Sequence, residues 1–267
     1  MQRLAPIALL STMVAHERVL RAMTRLELQK KYAGSLLGYA WIILQPLLFL
    51  GAYVVVFLVI FRIRLPGMSD IGYVAYVFSG LIPFLTLMEV TTTAPVVIRQ
   101  NMHLIKNVIV PVELIPLRLV AGAMVVQFVG LALLAVFLAA DLDYSWKLLF
   151  LPLVILLTAL FMAGLALMLA PIGMIIPDLG HGIGIAMHLL MFISPIAFRL
   201  DMVPPLVRFL VDWNPITYLV EAYRGVLIAA YEPSPVRLAI FVALALLFFI
   251  AGCSVISRFK ASIVDYE

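Results

Sequence analysis

Residues 148–177 read LLFLPLVILLTALFMAGLALMLAPIGMIIP, thirty consecutive positions without Asp, Glu, Lys or Arg. A surface helix of a soluble protein would show a polar face every 3.6 residues. This stretch is apolar all round, and as a helix it measures about 45 Å, enough to cross the ~30 Å hydrocarbon core of a bilayer. Working outward, residues 32–61, 71–88, 119–140, 179–198 and 238–257 also lack charge. The 267-residue chain is 65% hydrophobic and 12% charged, against about 25% charged in soluble domains. That excludes a water-soluble enzyme. A transmembrane barrel would alternate apolar and polar positions over short segments, so helices are the predicted spanning structure.

The predicted fold class is therefore all-α integral membrane, with six transmembrane helices at about 36–61, 73–98, 116–140, 148–176, 183–198 and 236–257. They make up a transmembrane domain over 35–257, with a kink expected at Pro46. Residues 1–34 form an N-terminal cytoplasmic amphipathic segment and 258–267 a cytoplasmic tail. Leu4–Ala15 is interrupted by Pro6 and followed by basic residues, which argues against a cleaved signal peptide. Arg3, Arg18, Arg21, Arg25, Lys30 and Lys31 place the N-terminus in the cytoplasm by the positive-inside rule, and six spans return Arg258 and Lys260 to the same side. On a helical wheel Ala15, Val19, Ala22, Met23 and Leu26 share one face opposite Arg18, Arg21 and Arg25, with Glu17–Arg21 and Glu27–Lys31 spaced for i,i+4 pairing. Between spans 5 and 6, residues 199–235 hold two apolar pieces, 203–211 and 215–231, each too short to span. These are predicted as short external re-entrant or gate helices.

The chemistry that is missing narrows the function. None of the five lysines follows a glycine, so there is no G-x-x-x-x-G-K-[ST] phosphate cradle. No H-E-x-x-H occurs, the four histidines are dispersed, and the single Cys253 has no partner. Val77-Phe-Ser79-Gly80 reads as helix packing and not as a serine-protease motif. An ion-coupled carrier needs ionisable groups at the midplane. Glu89, Glu113 and Arg118 instead fall near the predicted cytoplasmic ends, and His188 reads as a hydrogen-bonded packing residue. A membrane-embedded enzyme of glycan or lipid synthesis would need a polar catalytic cluster, and none is visible. Aromatics do recur at helical spacing: Phe49, Tyr53 and Phe57, then Tyr73, Tyr76 and Phe84. Such rings can meet sugar C–H faces while tyrosine hydroxyls bond sugar hydroxyls. In 203–211, Leu206, Phe209 and Leu210 read as an apolar seal able to exclude water from a channel.

Several ordered motifs carry a resemblance: RLELQKKYAGSLLGYAW at 25–41 with Gln45-Pro46, GLIPF at 80–84, NMHLIK at 101–106, PVELIP at 111–116, Pro177-Asp178, Ser194-Pro195, and WNPI at 213–216 followed by Arg224. Together they resemble the membrane (permease) subunit of type-2 ABC polysaccharide exporters, the O-antigen exporter family, related to capsule and teichoic-acid permeases. The resemblance implies a homodimer lining a channel for a lipid-linked polysaccharide, O-antigen first and capsular polymer or teichoic acid as alternatives. It implies two separate nucleotide-binding ATPase subunits that carry ATP and Mg, with no cofactor on this chain, no catalysis by it and no nucleic-acid partner. It implies residence among the lipids of the bacterial inner membrane. ATPase coupling would fall to Arg18, Arg21, Arg25, Asn101, Leu104, Ile105 and Lys106. The polysaccharide channel would be lined by Phe49, Tyr53, Phe57, Tyr73, Tyr76 and Phe84. The external gate would comprise Pro204, Leu206, Phe209, Leu210, Asn214 and Arg224.

Overall fold

The computed structural model describes residues 6–62, 68–103, 110–141 and 145–264. Every regular element among them is helical. In chain order these are α1 (Pro6–Ala15), α2 (Glu17–Tyr32), α3 (Trp41–Tyr53, running on as a π-helical stretch Val54–Ile60), α4 (Asp70–Gln100) and α5 (Leu114–Asp141). There follow α6 (Leu151–Ile175, led in by a 3-10 turn Trp146–Phe150), α7 (Leu179–Ile193), α8 (Arg208–Asp212), α9 (Pro215–Leu227) and α10 (Pro235–Val264). Five stretches, Gly38–Ile60, Asp70–Gln100, Leu114–Ala139, Trp146–Ile175 and Pro235–Lys260, are long and apolar enough to cross a membrane, and Leu179–Ile193 is a shorter apolar helix. The protein is thus a multi-pass helical membrane protein.

The central pillar is α4, 31 residues and about 46 Å long. It packs against α5, α6, α7 and α9, and most of its side chains are buried. Ser69 starts it, accepting the Gly72 amide at 2.8 Å as an N-cap. Pro83 and Pro95 lie inside it without ending it, because neighbouring helices shield the backbone on every side. The outer helix α3 differs. The helix continues through Pro46, and its bonding pattern changes only at Val54.

Helices α6 and α10 make the most extensive helix pair. Their backbones touch at Gly164 and Gly252. A Cβ built on Gly164 would stand 2.3 Å from the Phe248 carbonyl, and one on Gly252 would stand 2.3 Å from the Gly164 carbonyl oxygen. Small residues permit such an approach where lipid provides no hydrophobic drive between helices. Phe161 braces the seam edge-on against Phe241 and Phe248, with ring centroids 6.3 and 5.4 Å away.

The expected fifth span, 183–198, is built differently from a straight helix. α7 begins earlier, at Leu179, and its 15 residues cover only about 22 Å. Pro195 biases Ser194 toward extended backbone and stops the helix there. The segment still runs the length of the bundle antiparallel to α4. Gly180 lies beside Thr92, Pro95 and Val96, while the Ala197 and Phe198 carbonyls accept the Tyr73 and Tyr76 hydroxyls at 2.9 and 3.3 Å. The extended tail makes up the distance that the helix lacks, and the tyrosines replace helical bonds there. His188 is half of a local bond to the Gly184 carbonyl at 2.7 Å, in keeping with a structural residue.

The amphipathic N-terminal segment docks on the bundle at the α4 C-terminal end. Met23 is buried, Leu20 is partly buried, and Arg18, Arg21 and Arg25 face outward. Glu17 pairs with Arg21 as expected. Glu27 and Lys31 do not pair with each other. Glu27 reaches Arg118 of α5 at 3.3 Å, and Lys31 reaches Glu89 of α4 at 2.7 Å. Both helix α2 charges thus bridge to the bundle instead of to each other.

The close approach of α6 and α10 yields a test. Gly164→Val should force the two helices apart and destabilise the protein by roughly 1–3 kcal/mol or more, seen as a lower thermal transition of the detergent-solubilised chain. Gly182→Ala, with open space around its Cβ position, should leave that transition in place.

Candidate gate and coupling surfaces

Helix α9 lies at the α4 N-terminal end of the bundle, between α4 and α10. Asn214 caps it, accepting the Ile216 amide at 3.0 Å while donating to Ser194 Oγ at 2.8 Å, and Pro215 occupies the first turn where no N–H is needed. Eleven of its 13 residues are buried. Val220 and Arg224 press on Gly80, ten residues or about 15 Å inside the α4 terminus, and only the absence of a side chain at Gly80 makes room for them. The Tyr223 hydroxyl accepts from Gln127 Nε2 at the middle of α5. This is a short amphipathic helix, enclosed by protein on most of its surface.

Such a helix carries two charges that composition alone did not mark as a pair. Arg224 is 1% exposed. Its guanidinium lies 3.6 Å from the Tyr76 ring centroid and donates to the Ile196 carbonyl, combining a cation–π contact with a hydrogen bond in a dry site. Glu221, one turn earlier, is 2% exposed. Its Oε1 receives Arg237 Nη1 at 2.7 Å and the Tyr231 hydroxyl at 2.9 Å. Arg237 also holds Asp212 at 3.1 Å, so α8, α9 and α10 are clamped by one guanidinium. Burial and the Glu221 charge push the Tyr231 hydroxyl well above the usual phenol range, which keeps it a donor. Sequence reasoning selected Arg224 and missed Glu221, Asp212, Tyr231 and Arg237. The signal available was an acid and a base at i,i+3 inside an otherwise apolar piece.

The other predicted gate residues form an outward blade. Leu206 is 85% exposed and Trp213 86%, and Pro204, Phe209 and Leu210 are exposed as well. A hollow of about 410 Å³, lined by Phe192, Val203, Pro204 and Leu210 among others, separates the blade from the end of α7. Asn214 and Arg224 are buried beneath it. The gate set therefore divides into an exposed apolar edge and a buried polar anchor.

Burial divides the channel set. Tyr73, Tyr76 and Phe84 are internal to the protomer. The Tyr73 and Tyr76 hydroxyls donate to the α7 tail and the Tyr76 ring lies against Arg224, because these positions fall on the enclosed face of α4. In a single protomer they face other protein groups and not an open surface. Tyr53 is buried, donates to the Met191 carbonyl at 3.4 Å and stacks on Phe57 with centroids 5.6 Å apart. Phe49 and Phe57 remain half-exposed.

At the opposite end Arg18, Arg21 and Arg25 project from α2 as an exposed basic face. Asn101 departs from its expected coupling role. It is buried, and its amide donates to the Val97 carbonyl at 2.7 Å, closing the last turn of α4. Leu104, Ile105 and Lys106 lie outside the described residues. Arg99 donates to the Gly173 and Met174 carbonyls at 3.3 Å, and Lys260 meets the buried Glu113 at 2.7 Å. These bonds tie α4, α5, α6 and α10 together beneath α2.

The clamp on α9 can be measured. Glu221→Ala leaves Arg237 without its buried carboxylate and should cost about 3–5 kcal/mol. Tyr231→Phe removes one hydrogen bond to a charged group and should cost about 1.5–3 kcal/mol. Thermal unfolding in detergent orders the two variants, and equal stabilities would contradict the clamp.

Comparison with known proteins agrees with this architecture. The family description "ABC-2 type transporter" matches residues 18–228. The chain is 24% identical over 211 residues to the O-antigen export system permease protein RfbA of Klebsiella pneumoniae, covering 77% of this chain and 78% of that protein. It is 24% identical over 223 residues to the protein of the same name from Myxococcus xanthus, covering 82% and 84%. It is 27% identical over 215 residues to the polysialic acid transport protein KpsM of Escherichia coli, covering 79% and 82%. The match runs from the basic face of α2 to the end of α9, and the chain belongs to the ABC-2 type transporter family as a non-catalytic membrane subunit.

Proposed function

We propose that two copies of this chain form the membrane path of an exporter that moves a lipid-linked polysaccharide, O-antigen in the first reading, across the bacterial inner membrane. ATP is hydrolysed with Mg on two separate nucleotide-binding subunits, which dock against the exposed Arg18, Arg21 and Arg25 face of α2 on the cytoplasmic side. Both termini lie on that side. The observation that carries the reading is the apolar blade at 204–213 standing on a buried, charge-clamped helix. A path wide enough for sugar would leak ions at rest, and apolar side chains meeting across a dimer axis exclude water from it. The half-exposed Phe49 and Phe57 are the aromatic contacts left for the polymer. A capsular polymer is the second reading, supported by the likeness to the polysialic acid transport protein.

Deleting this chain from its host should abolish surface polysaccharide while lipid-linked polymer accumulates inside. Undiminished surface polymer would refute export. Phe209→Asp or Leu210→Asp should wet the seal and raise the ion conductance of proteoliposomes in the absence of substrate. Variants as ion-tight as the parent would remove the blade from the gate.

A further inference from the structure

On the same end of the molecule as α9, a cleft of about 430 Å³ opens between the start of α6, the start of α10 and the side of α9. We propose that this cleft binds one phospholipid with a primary-ammonium headgroup, its acyl chain lying between α6 and α10 and its headgroup between Lys147 and Glu232. The walls are apolar, with Phe150, Leu153 and Val242 partly exposed into the opening. They belong to two of the membrane-spanning stretches, so lipid is the medium that bathes them. From Trp146 at the mouth to Leu157 at the far end the chain advances eleven residues, about 17 Å of mixed 3-10 and α rise. One leaflet supplies tails of about 15 Å, half of the ~30 Å hydrocarbon core. The cleft is thus as deep as one leaflet's chains are long.

The rim fits a headgroup. Trp146 is exposed and rests edge-on against Phe150 at 5.8 Å, as aromatic rings do at the level of lipid headgroups. Lys147 lines the mouth and donates to the Ala229 and Tyr231 carbonyls at 3.3 and 3.2 Å. Those two bonds use two of three ammonium donors and leave one for a phosphate oxygen. Glu232 lines the same rim. One cation and one carboxylate lining the same cleft complement a phosphate joined to an ammonium, and a carboxylate favours an ammonium that can donate hydrogen bonds over a methylated one. The floor is made by Ala222, Gly225 and Val226 of α9, so an occupying chain rests directly on that helix.

The test uses the intact chain, assembled as purified, in the Trp41→Phe/Trp213→Phe background, where Trp146 is the only tryptophan. It is placed in phosphatidylcholine nanodiscs holding a rising fraction of phosphatidylethanolamine brominated on its tails. Quenching of Trp146 should rise steeply and saturate at a low fraction of the brominated lipid. Leu153→Phe/Val242→Phe, which fills the cleft from its partly exposed walls, should shift the half-saturating fraction upward by about tenfold. Quenching that follows the bulk lipid fraction in the parent would mean ordinary surrounding lipid and would overturn the site. Absence of quenching in the parent would mean that a second copy or another protein covers the cleft, and would overturn it too. Glu232→Gln changes only an exposed side chain. It should erase the preference for brominated phosphatidylethanolamine over brominated phosphatidylcholine, and a preference that survives would overturn the headgroup assignment.

Discussion

A guanidinium enclosed by apolar helices has to find its partners in the protein, because lipid offers none and the cost of an unpaired buried charge is several kcal/mol. Arg224 meets that constraint with the face of Tyr76 and the carbonyl of Ile196. The two contacts fix three separate segments at once: α4 through the tyrosine, the extended tail of α7 through the carbonyl, and α9 through the arginine itself. Gly80 completes the arrangement by leaving the space that Val220 and Arg224 fill. The end of the bundle bearing the blade is arranged around that contact.

The two ends are built on different principles. At the α2 end, charges bridge between helices near the surface: Lys31 with Glu89, Glu27 with Arg118, Lys260 with Glu113. The Lys31–Glu89 pair is partly exposed and modest in strength, while Glu113 and Arg118 are buried members of theirs. At the α9 end, Glu221 and Arg224 are enclosed almost completely. Each has its own partners, Arg237 and Tyr231 for Glu221 and the Tyr76 ring with the Ile196 carbonyl for Arg224, and losing them would leave a buried charge unsatisfied. A firm anchor under an exposed apolar edge lets the edge move without the support being lost.

Much of the fold could be read from the sequence because membrane spans declare themselves by uninterrupted apolar length. The expected bounds of 73–98, 148–176 and 236–257 fall inside or close to the observed helices. The fifth span was harder to read, since Ser194-Pro195 divides it into a helix and an extended tail whose carbonyls are satisfied by Tyr73 and Tyr76, residues more than a hundred positions earlier. The same distance in sequence hides which aromatics are enclosed. Helical spacing places Tyr73, Tyr76 and Phe84 on α4 but says nothing about which of its faces remain open, and these positions fall on its enclosed face. Glu221 and Arg237 escaped notice because a pair sixteen residues apart across a turn has no local pattern. The exposed blade was legible because its apolar residues sit among charges in pieces too short to span.

The pairing of Glu221 with Arg237 also bears on how the molecule is assembled. Arg237 belongs to the first turn of α10, which leaves the ribosome after α9 is complete. Until α10 is inserted, Glu221 lacks the Arg237 guanidinium, and α9 is held only by its contacts with α4, α5 and the α7 tail. The bundle of α4 to α7 can therefore form first, with residues 199–235 waiting at its surface. Arrival of the last span then closes the clamp on α9, so the end that bears the blade is completed last.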